Sequence, residues 1–172
     1  FMRQSIQAIL LSLLFVECEF THNEGALFEQ VSPHHSGISF INKVENSKAL
    51  NIFNYRNFYN GGGVAIGDLN NDGLADVFLT SNLGENKLYL NMGDFKFEDI
   101  TEKAGVTSKR FWSTGVVLAD INADGWLDIY ICNSGRINDG HRLNKLYINN
   151  HDLSFTEQAK AYGLDHSGFC TQ

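Results

Sequence analysis

The chain has 172 residues, about the length of one ordinary domain, and it is 43% hydrophobic and 12% aromatic, so a buried core is expected and general disorder is excluded. The formal net charge of −7 and the lack of a basic stripe argue against a nucleic-acid-binding surface. Sixteen glycines and one proline are typical of many tight turns between short strands.

The first predicted element is an apolar segment at the start of the chain. Residues 2–18, MRQSIQAILLSLLFVEC, have one arginine near their beginning and then a mostly apolar run from Ala8 to Val16. This run is shorter than the roughly 20 residues that span a bilayer. It predicts a secretory signal peptide and therefore an exported protein, with a buried N-terminal helix as the alternative.

Cys18 ends this apolar run, where a bacterial lipoprotein carries its lipid-modified cysteine. Glu17 stands in the place of the usual small residue, so simple cleavage near this point competes with lipidation. The first hypothesis predicts a lipoprotein of the outer membrane or cell surface that is attached to the membrane through Cys18. The second predicts a secreted protein.

Residues 19–58 form a segment ahead of the repeats that follow. Within this segment, FEQVSPHHSGI from Phe28 resembles FEDITEKAGV from Phe97, because each has Phe, a polar stretch, and then Gly with an aliphatic residue. The resemblance predicts one stray outer strand at residues 28–31.

An internal repeat occupies most of the remaining chain. GVAIGDLNNDGLADVFLTSN aligns with GVVLADINADGWLDIYICNS at an offset of 52 residues, and NKLYLNMGDFKFEDITEKAGV aligns with NKLYINNHDLSFTEQAKAYGL at an offset of 58. The extra residues lie in the polar stretch GRINDGHR, which predicts a loop insertion. We therefore predict two repeats, at 59–110 and 111–167, and the start of a third, GFCTQ, at 168–172.

Each repeat predicts four short strands. The runs GVAIG, DVFLT and NKLYLN have few polar positions, as expected when both faces of a sheet are covered. The run FKFEDIT alternates, as expected for an outer strand that partly faces water. Four strands in each ~40–50 residues are typical of a propeller blade. The predicted fold is therefore all-β: a partial β-propeller of four-stranded antiparallel blades with Asp-rich calcium loops.

The acidic loops DLNNDGLAD and DINADGWLD both have Asp at places 1, 5 and 9, Asn at place 3 and Gly at place 6. Calcium takes six to eight oxygen ligands, and a tight loop can supply them from places 1, 3, 5 and 9 and from the carbonyl of place 7. The pattern predicts one Ca²⁺ per loop. The predicted ligands are Asp68, Asn70, Asp72, the Leu74 carbonyl and Asp76 in the first loop, and Asp120, Asn122, Asp124, the Trp126 carbonyl and Asp128 in the second.

Competing loop types and competing metals fit these residues less well. An Asx-type turn explains the Asn and the Gly but not three carboxylates that repel one another. Magnesium is poorly suited to all-protein cages, and zinc favours His or Cys, which neither loop contains. An EF-hand has Glu at place 12, where these loops have Leu79 and Ile131. EF-hand and dockerin loops are also followed by helices, whereas strands are predicted here.

The stretch GGGVAIGDLNNDGLAD, which follows an aromatic residue, resembles the FG-GAP/VCBS repeat of integrin α-chain-type propellers. NKLYLN followed by FEDITEKAGV is similar to bacterial VCBS-repeat proteins related to cartilage acidic protein, many of which end in an ASPIC/UnbV domain. The literal Phe-Gly and Gly-Ala-Pro signatures and an ASPIC/UnbV segment are not present. The resemblance covers residues 28–172.

This resemblance implies a seven-bladed propeller with a calcium loop between the first two strands of each blade. It also implies an exported, surface-attached protein that binds other molecules. The strand at residues 28–31 would then complete the last blade as the ring closes.

No catalytic constellation is visible in the sequence. The serines lack a nucleophile-elbow context, and GGG at residues 61–63 is not followed by a helix or a Lys, so closely packed strands explain it better than a phosphate loop. His34 and His35 indicate a solvated loop. We therefore expect a binding or adhesion protein rather than an enzyme, with an unknown protein or carbohydrate ligand. The alternative is the scaffold part of a larger exported protein whose enzymatic or lectin activity lies elsewhere.

Two further sets of residues leave alternatives open. Tyr59, Phe111 and Trp112 could line a sugar site, although core packing also explains them. Cys132 and Cys170 are consistent with a disulfide in an exported protein or with two buried free thiols.

Overall fold

The computed structural model describes residues 27–108, 111–134 and 142–170. The chain divides into two compact units, Phe1–Gln30 and Val31–Gln172. The predicted signal peptide at 2–18 and its Cys18 lie outside the described residues. Within the described ranges, none of the helices has the length and apolar character needed to cross a membrane.

Two four-stranded antiparallel sheets make up most of the second unit, and in each sheet the strands are neighbours in chain order. Sheet 1 contains β1 (Val64–Gly67), β2 (Asp76–Leu79), β3 (Lys87–Asn91) and β4 (Phe97–Asp99). Sheet 2 contains β5 (Trp112–Ala119), β6 (Asp128–Ser134), β7 (Lys145–Asn149) and β8 (Phe155–Glu157). The prediction of an all-β fold with four antiparallel strands per repeat is confirmed.

The register of the first two strands positions the acidic loops. Gly67 pairs with Asp76 in sheet 1, and Ala119 pairs with Asp128 in sheet 2, so each acidic loop closes a hairpin at the same place. Strand β5 extends further toward its N-terminus than β1, with a register irregularity between Ser113 and Val116. Apart from this irregularity, the four strands follow one another and pair in the same way in both repeats.

Two one-turn helices accompany the sheets. Helix α1 (Pro33–Ser36) begins after Ser32, whose side chain accepts the backbone N–H of His35. The predicted solvated loop at these histidines is therefore a helical turn, and His35 Nε2 donates to the backbone carbonyl of Asp94, 2.9 Å away. Helix α2 (Thr101–Ala104) ends at Gly105, where φ is +73°. A helix of four residues is too short to show helical periodicity in the sequence, so neither was predicted.

The main core lies between the two sheets. Sheet 1 contributes one face of its strands, the loop residue Leu69 and the segment after β4. Sheet 2 contributes the residues that alternate with the equivalent positions of sheet 1. Full burial of one such side chain stabilises the fold by about 1.5–3 kcal/mol. The buried members are Ala65, Leu69, Phe78, Leu88, Ile100, Ala104, Val106, Ile129, Ile131, Tyr147 and Phe155.

Close backbone approach explains the glycines that precede β1. A Cβ added at Gly62 would overlap the carbonyl oxygen of Thr80, and one at Gly63 would lie 2.7 Å from the carbonyl oxygen of Thr114 in sheet 2. Only glycine fits where backbones approach this closely. The prediction that tight strand packing explains this glycine run is therefore confirmed.

The outer face of sheet 1 is less covered than the sequence predicts. Val64 and Ile66 of β1 are 60% and 66% exposed, although their runs were expected to be covered on both faces. Their counterparts in β5, Val116 and Leu118, are partly buried against sheet 1. The prediction of two covered faces is wrong for the outer face of sheet 1, because among the described residues no further sheet packs on it.

Residues ahead of the repeats pack against the start of sheet 2. Tyr55 and Phe58 enclose Trp112, and the Tyr55 hydroxyl lies 3.1 Å from the Ser134 hydroxyl. The latter part of the predicted segment 19–58 therefore shares a core with the repeats. Residues 28–31 form no strand. Their predicted pairing in a last blade involves a partner outside this chain and stays a prediction.

Candidate metal centre

The backbone turns in the same way in both acidic loops. The residue at place 4 has a left-handed conformation, with φ of +57° at Asn71 and +60° at Ala123. The residue at place 6 is also left-handed, with φ of +85° at Gly73 and +87° at Gly125. Such a conformation favours glycine, which explains why place 6 is Gly in both repeats.

The aspartate at place 1 holds this turn closed. The two carboxylate oxygens of Asp68 accept the backbone N–H groups of places 5 and 6, at 3.1 and 2.8 Å. Asp120 accepts the corresponding groups at 3.0 and 2.9 Å. The two loops therefore present their first carboxylate in the same orientation.

The side chains at places 3 and 5 are in direct contact. The amide of Asn70 donates to Asp72 Oδ2 at 2.8 Å, and that of Asn122 donates to Asp124 Oδ2 at 2.7 Å. The second oxygen of each place-5 carboxylate accepts the backbone N–H of place 7, at 2.8 Å in the first loop and 2.9 Å in the second. Places 1, 3 and 5 are thus gathered on one exposed turn, as the sequence predicts.

The aspartate at place 9 has a different environment, because Asp76 and Asp128 are both fully buried. One oxygen accepts the N–H of place 2, at 2.9 and 3.0 Å. The other oxygen accepts the N–H of the last residue of the third strand, which is Asn91 in sheet 1 and Asn149 in sheet 2, at 2.9 and 2.8 Å. This carboxylate therefore ties the acidic loop to the third strand.

The first loop concentrates negative charge around its buried carboxylate. Burial raises the pKa of Asp76 above its usual range, the backbone N–H groups that it accepts oppose this effect, and the nearby charges of Asp72 and Asp68 raise it further. A buried carboxylate beside other negative charges destabilises the folded state unless a cation offsets the repulsion.

The donor set fits a hard cation in its chemistry. In the described ranges, no group of three or more His, Cys, Asp and Glu side chains is arranged as a ready-made metal site. The carboxylate oxygens instead accept the N–H groups of their own loop, which is also the Asx-type arrangement considered from the sequence. Each loop nevertheless offers three carboxylates, one side-chain amide and the backbone carbonyl of Leu74 or Trp126. Oxygen ligands of this kind suit Ca²⁺, so the ten predicted ligands stay a prediction.

The first loop is also part of the interface between the sheets. Leu69, at place 2, is only 2% exposed, and its carbonyl accepts the side-chain amide of Asn149 at 2.8 Å. The amide of Asn71 donates to the carbonyl of Gly125 in the second loop at 3.2 Å. The first loop is therefore joined to sheet 2 by two hydrogen bonds and a buried side chain.

The second loop has a neighbour that the first lacks. His151 Nε2 lies 3.0 Å from Asp124 Oδ2, and the His151 ring stacks on Trp126 with a centroid distance of 4.7 Å. The hydrogen bond from His151, followed by that from the Trp126 N–H, lowers the pKa of Asp124. Gly93 takes the place of His151 in the first repeat. The sequence did not predict this contact. Its only sign in the sequence is that His151 aligns with a glycine in the first repeat.

The aromatic residues considered as a sugar site have separate environments. Trp112 is fully buried, which confirms core packing for it, whereas Tyr59 is 62% exposed. Tyr59 instead lines an open pocket of about 430 Å³ with Phe53, Asn46 and Lys48. Phe53 is 99% exposed, so this pocket combines two accessible rings with polar groups.

Comparison with known proteins supports the repeat assignment. Residues 68–131, which include both acidic loops, match the model of the FG-GAP-like repeat family. The chain is similar to cartilage acidic protein 1 of Xenopus tropicalis, with 41% identity over 88 residues, which is 51% of this chain and 13% of that protein. The human protein of the same name is 40% identical over 86 residues, 49% of this chain and 13% of that protein. The matched half of the chain therefore covers about an eighth of the length of these relatives.

Proposed function

Because residues 68–131 match the FG-GAP-like repeat, we propose that this chain is part of an extracellular, calcium-stabilised β-propeller that binds protein or glycan ligands. The single observation that carries the proposal is the acidic hairpin loop, which occurs twice with the same hydrogen bonds and the same buried aspartate. Packing of the two sheets face to face supports their role as neighbouring blades.

Calcium would act on stability rather than on a reaction. A bound Ca²⁺ would supply positive charge to three carboxylates that otherwise repel one another. Asp76 and Asp128 would pass that effect to the third strand of each sheet, because both aspartates accept a backbone N–H from it. In the first loop, Asn149 would pass it on to the neighbouring sheet.

Thermal unfolding with calcium tests this proposal. Extracellular modules typically bind Ca²⁺ with a Kd of ~0.1–1 mM. At about 5 mM Ca²⁺, one such site stabilises the folded state by about 1–2 kcal/mol, which a melting curve resolves. We expect Tm to rise on adding CaCl₂, to fall with a chelator, and to respond less to MgCl₂.

Matched variants separate the two sites. Asp72→Ala and Asp124→Ala should each remove one of two binding events in titration calorimetry, and the double variant should remove both. Asp94→Asn is the control, since Asp94 is an exposed acid outside both loops. Calcium-independent melting of the unmodified chain, or equal loss in the control, would contradict the proposal.

The ligand-binding part of the proposal rests on the pocket beside Tyr59 and Phe53. Exposed aromatic rings next to amides and a lysine form a surface that suits a sugar ring and its hydroxyl groups. A glycan array should show binding that Phe53→Ala abolishes and that Phe95→Ala, at an exposed ring elsewhere, leaves unchanged. Equal binding by both variants would favour a protein ligand at another surface.

Export completes the proposal. The predicted signal peptide at residues 2–18 and the word cartilage in the names of its relatives both favour an extracellular location. Cys18→Ser distinguishes the two forms: it should release a lipoprotein from the membrane fraction and leave a secreted protein unaffected.

A further inference from the structure

Two cysteines that are distant in sequence are brought together where the chain leaves sheet 2. Cys132 lies in β6, and Cys170 lies in the segment that follows β8. Both are free thiols and both are partly exposed. Neither belongs to the acidic loops or to the pocket near Tyr59.

One threonine fixes the two cysteine backbones side by side. The hydroxyl of Thr114 lies 3.1 Å from the carbonyl oxygen of Cys132 and 2.9 Å from that of Cys170. The amide of Asn144 donates to Cys170 Sγ at 3.3 Å, and the N–H of Asn144 donates to the carbonyl of His166 at 3.1 Å. These bonds anchor both the backbone and the sulfur of the segment at residues 166–170.

The two sulfur atoms also act on each other. Burial raises the pKa of the Cys132 thiol above its usual value, and Cys170 raises it further through its charge and through a hydrogen bond between the thiols. This mutual effect accompanies the backbone proximity at the Thr114 hydroxyl.

The first repeat shows what this position does in the fold. Asn86 donates to the Ser113 hydroxyl at 3.2 Å, just as Asn144 donates to Cys170 Sγ, so Ser113 is the counterpart of Cys170. Thr80 is the counterpart of Cys132, and its hydroxyl donates to the carbonyl of Thr114 at 2.6 Å. Thus β5, the strand that opens sheet 2, is attached to sheet 1 by hydrogen bonds from Asn86 to Ser113 and from Thr80 to the adjacent Thr114.

We propose that Cys132 and Cys170 form a disulfide that fastens the segment after β8 to sheet 2, at the position where hydrogen bonds fasten β5 to sheet 1. A small disulfide such as oxidised glutathione serves as the oxidant. One protein thiolate displaces glutathione thiolate to form a mixed disulfide, and the second thiolate then displaces the remaining glutathione. Two protein thiols are oxidised, one glutathione disulfide is reduced to two thiols, and the displaced thiolates take up the two protons.

Peptide mapping under non-reducing conditions tests the pairing. The chain carrying Cys18→Ser, which leaves two cysteines, is equilibrated in a glutathione redox buffer, blocked with iodoacetamide and digested with trypsin. We expect residues 111–136 and 161–172 to appear as one linked species, lighter by two hydrogens than the sum of the free peptides, and to come from monomeric protein. Separate alkylated or glutathionylated peptides, or a link only between chains, would overturn the proposal.

Measuring disulfide formation in the folded and the unfolded chain shows whether the fold brings the two cysteines together. The equilibrium constant for disulfide formation should be larger in the folded chain than in urea by a factor on the order of 30–1,000. Thr114→Val removes the hydroxyl that lies between the two carbonyls and should lower this ratio several-fold, whereas Thr156→Val, on the exposed strand β8, should not. Equal constants in folded and unfolded chains would refute the proposal even if Thr114→Val failed to fold.

Discussion

Sheet 1 and sheet 2 have nearly the same strands but not the same burial. Ile66 of sheet 1 is 66% exposed, while its counterpart Leu118 is packed in the core between the sheets. The loop residues show the reverse, because Leu69 is 2% exposed and its counterpart Ile121 is 40% exposed. The two sheets therefore pack non-equivalent faces against each other. In sheet 2 the face turned away from sheet 1 is also partly covered, because Leu146 and Ile148 are buried there. Position in the array, rather than residue type, decides which apolar side chain is buried.

The contact at Gly67 shows how closely the covered faces approach. A Cβ added at Gly67 would lie 2.9 Å from the Cδ1 atoms of both Leu118 and Leu127. The counterpart of Gly67 in sheet 2 is Ala119, which has a Cβ. Glycine therefore occurs in β1, on which sheet 2 packs closely.

The largest expected difference comes from placing a charge at the same position of each sheet. Leu118→Asp puts a carboxylate into the core between the sheets and should cost more than about 3 kcal/mol, since a buried unpaired charge is strongly unfavourable. Ile66→Asp should change stability by less than about 0.5 kcal/mol. Urea unfolding followed by tryptophan fluorescence measures both. Equal costs would show that the two faces are covered alike.

A smaller difference is expected for the asparagines that end the third strands. The amide of Asn149 donates to Leu69 in the other sheet and to Leu127 at 3.1 Å, whereas the amide of Asn91 donates to Ala75 at 2.9 Å within its own sheet. Asn149→Ala leaves buried carbonyls without a donor and should cost about 1–3 kcal/mol.

Asn91→Ala is the matched variant and should cost less, because the carbonyl that it leaves is closer to solvent. The same urea titration compares the two. A larger loss for Asn91→Ala would mean that the contact across the sheets does not stabilise the interface.

The smallest expected difference concerns ion pairs between the third and fourth strands. Lys87 Nζ lies 2.8 Å from Asp99 Oδ2, while the corresponding distance from Lys145 to Glu157 is 3.7 Å. Burial tends to raise the pKa of Asp99, but hydrogen bonds from Lys87 and Thr101 outweigh it and lower the pKa. The stabilisation from Asp99 is therefore present above an unfolded pKa of about 3.9 and is lost as pH falls through the lower folded pKa.

Lys87→Met should reduce this pH dependence between about pH 4 and pH 2. Both side chains of the pair are partly solvated, so the loss at neutral pH should be under about 1 kcal/mol. Lys145→Met should have a smaller effect because its pair is longer. Urea midpoints measured from neutral to acid pH compare the two variants. A steeper loss of stability with falling pH in Lys87→Met than in the parent chain would contradict this prediction.

Periodicity predicted the strands because each repeat alternates short apolar runs with turn residues. The loop conformation was also predictable, since the Gly at place 6 is left-handed in both copies. The backbone contacts of Asp76 and Asp128 were not predictable, because the N–H groups come from strands that the loop meets only after folding. The approach of His151 to Asp124 was hidden for the same reason.

The sequence by itself determined the repeat, the four strands in each copy and the two acidic turns, because these depend on local spacing and on residues next to each other in the chain. Only the tertiary structure decided which face of each sheet packs against the other sheet, since that depends on the position of each sheet in the array. It also decided that Leu69 anchors one loop while Ile121 stays partly exposed, and that the backbones of Cys132 and Cys170 meet at Thr114. These contacts join residues distant in sequence, and no local pattern records them.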